Sequence, residues 1–210
     1  MPINKGKKKL SRALPPAEAL VASLLARGAV GVLPTDTIYG IVGSALRKDA
    51  VERIYRLRKR DPEKPMIILV SSMRDLRLFG IKTFPRMTKV LRKVWPGKVS
   101  VILPCRYKKF AYLHRGTETL AFRVPASISL RALLSKTGPL VAPSANFEGE
   151  PPARTIAEAK RYFGDHVEFY GAAGCIASKP STLIAIDDDG AVTVLRQGAV
   201  KIPARGTIIL

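Results

Sequence analysis

The stretch that decides the fold is residues 29–40, Ala-Val-Gly-Val-Leu-Pro-Thr-Asp-Thr-Ile-Tyr-Gly. Its apolar first part, residues 29–33, predicts a short buried strand, and Pro34 begins a turn. The preceding segment, about 16–27, has the small and apolar face of a helix, which Gly28 is placed to end. A helix that leads into a buried strand, followed by a polar loop ending in glycine, is typical of α/β proteins, which place their sites at strand ends.

Helix and strand patterns alternate on the C-terminal side of this stretch. The sequence predicts helices at about 50–59, 85–95, 129–136 and 156–163, and strands at 66–70, 99–103, 120–124, 139–142 and 167–170. It also predicts a hairpin of strands 182–186 and 191–195, joined by Asp187-Asp188-Asp189-Gly190. Asp49 with Glu52, and Thr155 with Glu158, have the spacing of capping boxes. This order predicts a single α/β domain with a twisted, open, mixed parallel and antiparallel sheet and flanking helices.

The charge of the chain is strongly positive and unevenly distributed. Its 210 residues include 36 Lys and Arg against 16 Asp and Glu, a formal net charge of +20, and residues 1–100 hold 22 of the basic but 7 of the acidic ones. Such a surface attracts polyanions, with RNA the first expectation; the alternative is a solvated basic face without a partner. We predict that residues 1–12 are a basic flexible arm and that 13–210 form the domain.

Composition excludes several classes of protein. Hydrophobic residues make up 47% and charged residues 25%, which excludes general disorder. No apolar run is long enough to span a membrane, and residues 1–12 lack the apolar stretch of a secretory signal, so we expect a cytoplasmic protein without membrane association. Cys105 and Cys175 form no C-x-x-C pair, so we expect two buried, unpaired thiols and no zinc site.

The common catalytic devices are also absent from the sequence. It contains no G-x-x-x-x-G-K-[ST] phosphate loop, no G-x-G-x-x-G fingerprint and no G-x-S-x-G elbow, and its sparse acidic residues suggest no carboxylate metal cage. An enzyme with this sequence would use cations and hydroxyl groups on anionic substrates. It would lower the barrier by positioning and charge neutralisation rather than through a protein nucleophile or general base.

Four polar segments are candidates for such a site. They are residues 34–40, Arg58-Lys59-Arg60 with Lys64, residues 142–146, and Ser181-Thr182 with Arg196. Threonine caps, a basic helix end that satisfies the helix dipole, and an Asx turn are the competing structural explanations for the first three. For Arg196 the functional explanation is stronger, because an inward-facing guanidinium needs an anion.

Together, seven segments resemble one family, the YrdC-type L-threonylcarbamoyladenylate synthases, which begin the synthesis of N6-threonylcarbamoyladenosine in tRNA. The resemblance covers about residues 15–200. It rests on PTDTIYG (34–40), RKRDPEKPM (58–66), WPGKVSVIL (95–103), FRVP (122–125), APSANFEGEPPART (142–155), PSTLIAID (180–187) and LRQG (195–198). It implies the YrdC-like fold in its short single-domain form. It also implies that L-threonine and bicarbonate give N-carboxythreonine, whose carboxylate attacks the α-phosphate of ATP.

The resemblance further implies roles for individual residues. The residues expected to hold threonine are Thr35, Arg123, Ser144 and Ser181. Those expected to contact ATP are Arg58, Arg60, Lys64, Thr119, Asn146, Arg154 and Arg196. Arg58 stands where the family usually has Lys. No residue is expected to act as nucleophile or general base or to bind a metal, and Mg²⁺ would arrive with ATP.

Partners and alternatives follow from the same resemblance. A face that binds tRNA or double-stranded RNA is expected at Arg53, Arg56, Lys89, Arg92 and Lys93, with Arg53, Arg56 and Arg60 on one helix face. Transfer of the threonylcarbamoyl group to tRNA would belong to a separate downstream transferase complex. One alternative is an RNA-binding module of the same fold without synthase activity, favoured by Arg58 and the net charge. Another is a carbamoyl-adenylate enzyme similar to the related domain of hydrogenase maturation factors, disfavoured because their zinc-finger and acylphosphatase segments are absent from these residues.

Overall fold

The computed structural model describes residues 16–187 and 190–203. It contains the predicted first helix, Pro16–Ala26 (α1), and the first strand, Gly31–Pro34 (β1). Gly28 ends the helix: its φ is +94°, which a residue with a Cβ rarely adopts, and its N–H donates to Leu25 O at 3.0 Å. The arm predicted for residues 1–12 lies outside the described residues.

The other elements follow in chain order. The helices are Lys48–Leu57 (α2), Pro85–Val94 (α3), Ala111–His114 (α4), Ile128–Thr137 (α5) and Ile156–Phe163 (α6), with 3₁₀ turns at Met73–Phe79 and Lys108–Phe110. The strands are Tyr39–Ser44 (β2), Ile67–Leu69 (β3), Val99–Pro104 (β4), Thr119–Arg123 (β5), Leu140–Val141 (β6), Phe169–Tyr170 (β7), Thr182–Ile186 (β8) and Val192–Arg196 (β9). No described helix combines the length and the apolar character needed to cross a bilayer.

Within the described residues, the strands form one nine-stranded sheet in the order β7-β1-β2-β6-β3-β5-β4-β8-β9. The pairs β1–β7, β3–β5 and β4–β8 are parallel and the other neighbours are antiparallel. The predicted mixed sheet with flanking helices is therefore confirmed, and so is the hairpin of β8 and β9. In its turn, Gly190 N donates to Asp187 O at 2.9 Å, while Asp188 and Asp189 lie outside the described residues.

Two apolar clusters cover the faces of the sheet to different extents. The larger packs α2, α3, α4 and α6 against one face. The smaller lies under α1 and α5, where Leu25, Leu130 and Leu134 contact β1, β2, β3 and β6. A buried leucine contributes roughly 1.5–3 kcal/mol, so these clusters fix the helices firmly. Beyond β3, where β5, β4 and β8 form that second face, the described residues leave a cavity instead.

The structure differs from the sequence prediction in the region of α2. Tyr39–Ser44 is a strand that the sequence did not predict; all six of its residues are buried, so it lacks the alternation of a half-exposed strand. The prediction of a capping box at Asp49 was wrong, because α2 begins at Lys48 and Asp49 binds the side chain of Arg47. The helix ends at Leu57, so Arg60 does not share a helical face with Arg53 and Arg56.

The two cysteines have different surroundings. Cys105 is buried with its Sγ 3.5 Å from Phe79 O, and burial raises the pKa of its thiol. Cys175 is exposed, which contradicts the prediction that both are buried. It follows Gly174, whose carbonyl oxygen accepts a hydrogen bond from the buried Tyr39 Oη at 2.8 Å.

Candidate functional site

A cavity of about 400 Å³ lies on the uncovered part of the second sheet face. Its floor includes Thr119, Ala121 and Arg123, while Leu120 and Phe122 between them are buried in the larger cluster. The alternation arises because successive strand residues point to opposite faces. Neighbouring strands extend the floor with Ile67, Ile102 and Leu183. At about 3.3 Å per residue, the Cα atoms of Thr119 and Arg123 are roughly 13 Å apart, so the cavity suits an elongated ligand.

Arg123 lies at one end of this floor and is 3% exposed. Its Nη1 donates to Thr37 Oγ1 at 2.9 Å, and its Nη2 lies 3.3 Å from Asp36 Oδ1. Asp36 is held in turn by Ala126 N, which donates to Oδ2 at 2.9 Å. Burial lowers the pKa of Arg123, Asp36 opposes this shift, and Arg196 adds to it. Among the described residues, Nε of Arg123 has no hydrogen-bond partner, so a buried donor remains for an anion.

The loop between β1 and β2 presents two threonines to the cavity. Thr35 Oγ1 donates to Ile38 O at 2.7 Å and accepts from the backbone N of Thr37 and of Ile38, each at 3.2 Å. Thr35 Oγ1 also lies 3.0 Å from Thr37 Oγ1. The threonine cap considered as a structural explanation is therefore present. The same cap holds both side chains at the cavity wall.

Arg58 joins the end of α2 to the segment after β6. It is 3% exposed; its Nε donates to Asn146 O at 3.1 Å and its Nη2 to Ser144 Oγ at 3.2 Å. Burial lowers its pKa to about 10, and the neighbouring Arg60 contributes to the shift. Its Nη1 is buried without a hydrogen-bond partner among the described residues. The planar guanidinium of Arg58 thus holds Ser144 and Asn146 with two nitrogens and keeps the third for a ligand. A lysine has a single nitrogen and could not make both contacts in this geometry.

Ser181 and Arg196 meet beside the terminal hairpin. Arg196 Nη2 donates to Ser181 O at 3.0 Å, and Ser181 Oγ shares a buried 2.9 Å hydrogen bond with Ser100 Oγ. Gly198 permits this close approach, because a Cβ at that position would overlap the carbonyl oxygen of Pro180. Both side chains therefore reach the cavity from the edge of the sheet.

The wall of the cavity carries positive charge. Arg58, Arg60, Arg123 and Arg196 line it, and within the described part of the chain no acidic residue does. Residues 16–187 and 190–203 contain no group of three or more His, Cys, Asp or Glu that could hold a metal ion. Four guanidinium groups in one concave space favour an anionic ligand.

Comparison with known proteins identifies the family of this chain. The family model named Sua5_yciO_yrdC, with the description "Telomere recombination", matches residues 23–198. The chain belongs to the Sua5/YciO/YrdC family. The family resemblance inferred from the seven sequence segments is confirmed.

Several members of the Sua5/YciO/YrdC family are similar over most of this chain. A threonylcarbamoyl-AMP synthase of Pyrococcus abyssi is 31% identical over 173 residues, 80% of this chain and 48% of that protein. One of Marinobacter nauticus is 35% identical over 174 residues, 80% of this chain and 90% of that protein. The crystal structure of P. abyssi Sua5 complexed with L-threonine matches with a TM-score of 0.79 and 26% identity, over 86% of this chain and 54% of that one. The chain spans about half the length of these P. abyssi proteins.

Most of the residues predicted from the family resemblance meet at the cavity. Those that line it are Thr35, Arg58, Arg60, Thr119, Arg123, Ser144, Ser181 and Arg196. The structure thus brings together residues from both ends of the described chain. Their individual roles toward threonine or ATP stay predictions.

Three predicted ATP contacts lie outside the cavity lining. Lys64 is exposed, with Nζ 3.2 Å from Glu148 Oε1. Asn146 is 4% exposed, and its Nδ2 donates to the carbonyl oxygens of Phe147 and Glu150 at 2.6 and 2.8 Å. Arg154 is exposed just before α6. Contact of these three residues with ATP stays a prediction.

The predicted RNA-binding residues differ in their surroundings. Arg53 is half-buried and donates to Glu168 Oε1 and to His166 O, both at 2.6 Å, so its charge is already neutralised. Arg56 on α2, and Lys89, Arg92 and Lys93 on α3, are exposed. The α3 residues therefore offer a basic face, whereas Arg53 fits an ion pair better.

Sequence reasoning missed several residues of the site. Asp36 and Thr37 belong to the candidate segment 34–40, but their role in holding Arg123 was not predicted, because that partner is more than 80 positions away. Thr117 lines the cavity two residues before Thr119, and its hydroxyl lies 3.2 Å from that of Thr119. Ser100 could have been found from the sequence, because it is a polar residue inside an otherwise apolar strand.

Proposed function

We propose that this chain is an L-threonylcarbamoyl-AMP synthase. In the proposed reaction, a carboxylate oxygen of N-carboxythreonine attacks the α-phosphorus of ATP, the bond to the bridging oxygen breaks, and pyrophosphate leaves. The single observation that carries the proposal is the cavity in which four arginines and the hydroxyls of Thr35, Ser144 and Ser181 converge. The names of the synthase relatives, and the threonine in the complex of P. abyssi Sua5, support this choice.

The amino acid would bind at the Arg123 end. There the unpartnered Nε of Arg123 would donate a hydrogen bond to the threonine carboxylate. The hydrogens of Nη1 and Nη2 that do not point at Thr37 or Asp36 would add to this contact. Because Asp36 balances Arg123 before the ligand binds, the guanidinium can stay buried in the empty site. Ser144 and Ser181 would orient the rest of the molecule, so threonine and its carbamate would be held in place for attack.

The nucleotide would occupy the remainder of the floor toward Thr119. Arg58, Arg60 and Arg196 line the same cavity and are the proposed phosphate-binding cations. They would neutralise charge on the oxygens around the α-phosphorus, where it increases during attack. We also propose that Lys64, Asn146 and Arg154 contact ATP, after a local rearrangement of their side chains toward the cavity.

Magnesium would enter with ATP. The described cavity wall has arginines and hydroxyls but no carboxylate, a donor set that does not suit direct binding of a hard divalent cation. We therefore assign its coordination to phosphate oxygens and water. When bound, the ion would neutralise charge on the phosphates, while this chain's arginines position them.

A direct assay tests the proposal. Purified protein would be incubated with ATP, L-threonine, bicarbonate and Mg²⁺, and pyrophosphate and the adenylate quantified. We expect both products in equal amounts, and neither without threonine or bicarbonate. Absence of both products from protein that still binds RNA would favour the module without synthase activity.

The division of the cavity makes a prediction for two variants. We expect Ser144→Ala to raise KM for L-threonine roughly 2- to 10-fold with less effect on KM for ATP, because a neutral hydrogen bond is lost. We expect Arg196→Ala to raise KM for ATP roughly 10- to 150-fold with less effect on threonine, because a charged donor is lost. Steady-state kinetics with each substrate varied would measure this. Equal changes in both constants for either variant would contradict the division.

RNA is the proposed macromolecular partner, and the cytoplasm the proposed place of action. The +20 net charge and the exposed cations of α3 support RNA contact. As the family resemblance implies, transfer of the threonylcarbamoyl group to tRNA, with release of AMP, would fall to a separate transferase complex.

The RNA proposal predicts a salt-dependent effect of charge reversal on α3. We expect Lys89→Glu with Arg92→Glu to weaken double-stranded RNA binding and to reduce the log–log salt slope by about 2, roughly one per lost phosphate contact. Synthesis of the adenylate should be unchanged, because α3 packs on the opposite sheet face. Fluorescence anisotropy across a salt series would measure binding. The matched control is Lys160→Glu with Arg161→Glu on α6; equal weakening by both pairs would show general charge attraction rather than a face on α3.

A further inference from the structure

One carboxylate holds the two cations of the loop after α2. Glu148 Oε1 lies 3.2 Å from Lys64 Nζ and 3.7 Å from Arg60 Nη1. Its Oε2 accepts a 2.6 Å hydrogen bond from Asp61 N, and its backbone N donates to Arg58 O at 2.8 Å. Both oxygens and the backbone of Glu148 are therefore engaged with residues 58–64.

The contacts of Arg60 show what this carboxylate controls. Arg60 lines the cavity, but its Nε donates to Lys64 O at 3.1 Å and its Nη2 to Pro65 O at 3.0 Å. Nη1 is the nitrogen nearest Glu148. Lys64 Nζ lies between Glu148 and Asp61 Oδ2, which is 3.4 Å away. Neither cation can bind a phosphate without sharing or leaving Glu148.

We propose that Glu148 is a positioning residue that competes with the phosphates of ATP for Arg60 and Lys64, and so sets the affinity for the nucleotide. The inference rests on the proposed synthase function for its link to ATP. A triphosphate carries several negative charges and can contact both cations at once, so it displaces a single carboxylate. The pairs are partly exposed, so exchanging one anion for the other costs little.

Two further observations fit this role. The hydrogen bond from Asp61 N lowers the pKa of Glu148, and Lys64 lowers it further, so the carboxylate is ionised at neutral pH. Ser144, which lines the cavity, accepts its hydrogen bond from Arg58 and not from a residue that Glu148 holds through its carboxylate. Release of Lys64 and Arg60 toward a nucleotide would therefore not dismantle the wall itself.

The test is Glu148→Gln, which keeps an acceptor for Asp61 N but removes the charge. At low ionic strength we expect KM for ATP to fall about 2- to 5-fold, the range of an exposed ion pair, while kcat and KM for L-threonine stay unchanged. At about 0.5 M salt the difference should disappear, because exposed charges are screened. In a Lys64→Gln background, Glu148→Gln should have a smaller effect than in the wild type.

The matched control is Glu150→Gln, which makes the same charge change two residues along the loop. Glu150 is exposed and forms no ion pair with Arg60 or Lys64 in the described structure. An unchanged or higher KM for ATP in Glu148→Gln, or an equal decrease in Glu150→Gln, would overturn the proposal. If the wild type makes no adenylate, the synthase function fails instead, and calorimetric titration of both variants with ATP still decides the role of Glu148.

Discussion

We expect Arg123→Met to reduce kcat/KM for L-threonine roughly 30- to 5,000-fold. In the proposed complex Arg123 pairs with the threonine carboxylate, and removing one side of such a buried pair costs about 2–5 kcal/mol, at 1.36 kcal/mol per factor of ten. The effect is large because Arg123 is 3% exposed, so water cannot replace the guanidinium next to the bound carboxylate. Pyrophosphate release at varied threonine concentration would measure it.

The variant Arg123→Lys keeps the positive charge but removes the paired N–H donors of the guanidinium, so it separates the two contributions. A lysine keeps a positive charge opposite Asp36, so the variant should lose less stability in urea than Arg123→Met, which leaves Asp36 without a counterion. It should nevertheless lose most of the activity, because an ammonium cannot form two parallel hydrogen bonds to a carboxylate. Activity close to that of the wild type would show that a point charge is sufficient and that the bidentate assignment is wrong.

The second large effect is on stability. We expect Asp36→Asn to lower the free energy of unfolding by about 3–5 kcal/mol, because it leaves Arg123 buried without a counterion. The side chains of Arg123 and Asp36 are 4% and 6% exposed, so solvent screens the pair little. Urea unfolding at constant pH would measure the change. Since the carboxylate of bound L-threonine would supply the missing charge, saturating threonine should stabilise the variant more than the wild type.

Asp49→Asn is the matched control for this experiment. Asp49 also pairs with an arginine, Arg47, at 2.6 Å, but these side chains are 63% and 45% exposed. An exposed pair contributes about 0–1 kcal/mol, so the control should be nearly as stable as the wild type. Similar losses in the two variants would contradict the idea that burial of the Arg123 pair determines its effect.

Much of the fold follows from local patterns in the sequence. The stripe of Met87, Val90 and Leu91 predicts α3, and these residues are buried as expected. Thr155 begins α6 by accepting a hydrogen bond from Glu158 N at 3.2 Å, as its spacing predicts, but the Glu158 carboxylate accepts from Arg154 N rather than from Thr155 N, so only half of the predicted capping box forms. The turn of β8 and β9 ends in Gly190, with a φ of +88°. Each of these signals is contained within a few residues, so a single sequence is sufficient to find it.

The remainder depends on contacts between distant residues. Tyr39–Ser44 is buried on both faces by α2 on one side and α1 on the other, so its sequence lacks a strand period. Leu140–Val141 was predicted as a strand, but its pairing with β2 and β3 is not visible in the local pattern. The partners of Arg58 and of Arg123 lie more than 80 positions away, and register is not visible in one sequence. The family resemblance, rather than local pattern, brought most of the site residues together.

Because one thiol is buried and the other exposed, the chain can be labelled with a dye at a single cysteine without mutation. A maleimide fluorophore is expected to react with the exposed Cys175 and leave the shielded Cys105 untouched. The dye would lie beside Gly174, on a segment tethered to Tyr39 and thereby to the strand that follows the Thr35 turn. Its emission would then report whether filling the neighbouring cavity displaces that tether, with no engineered residue in the protein.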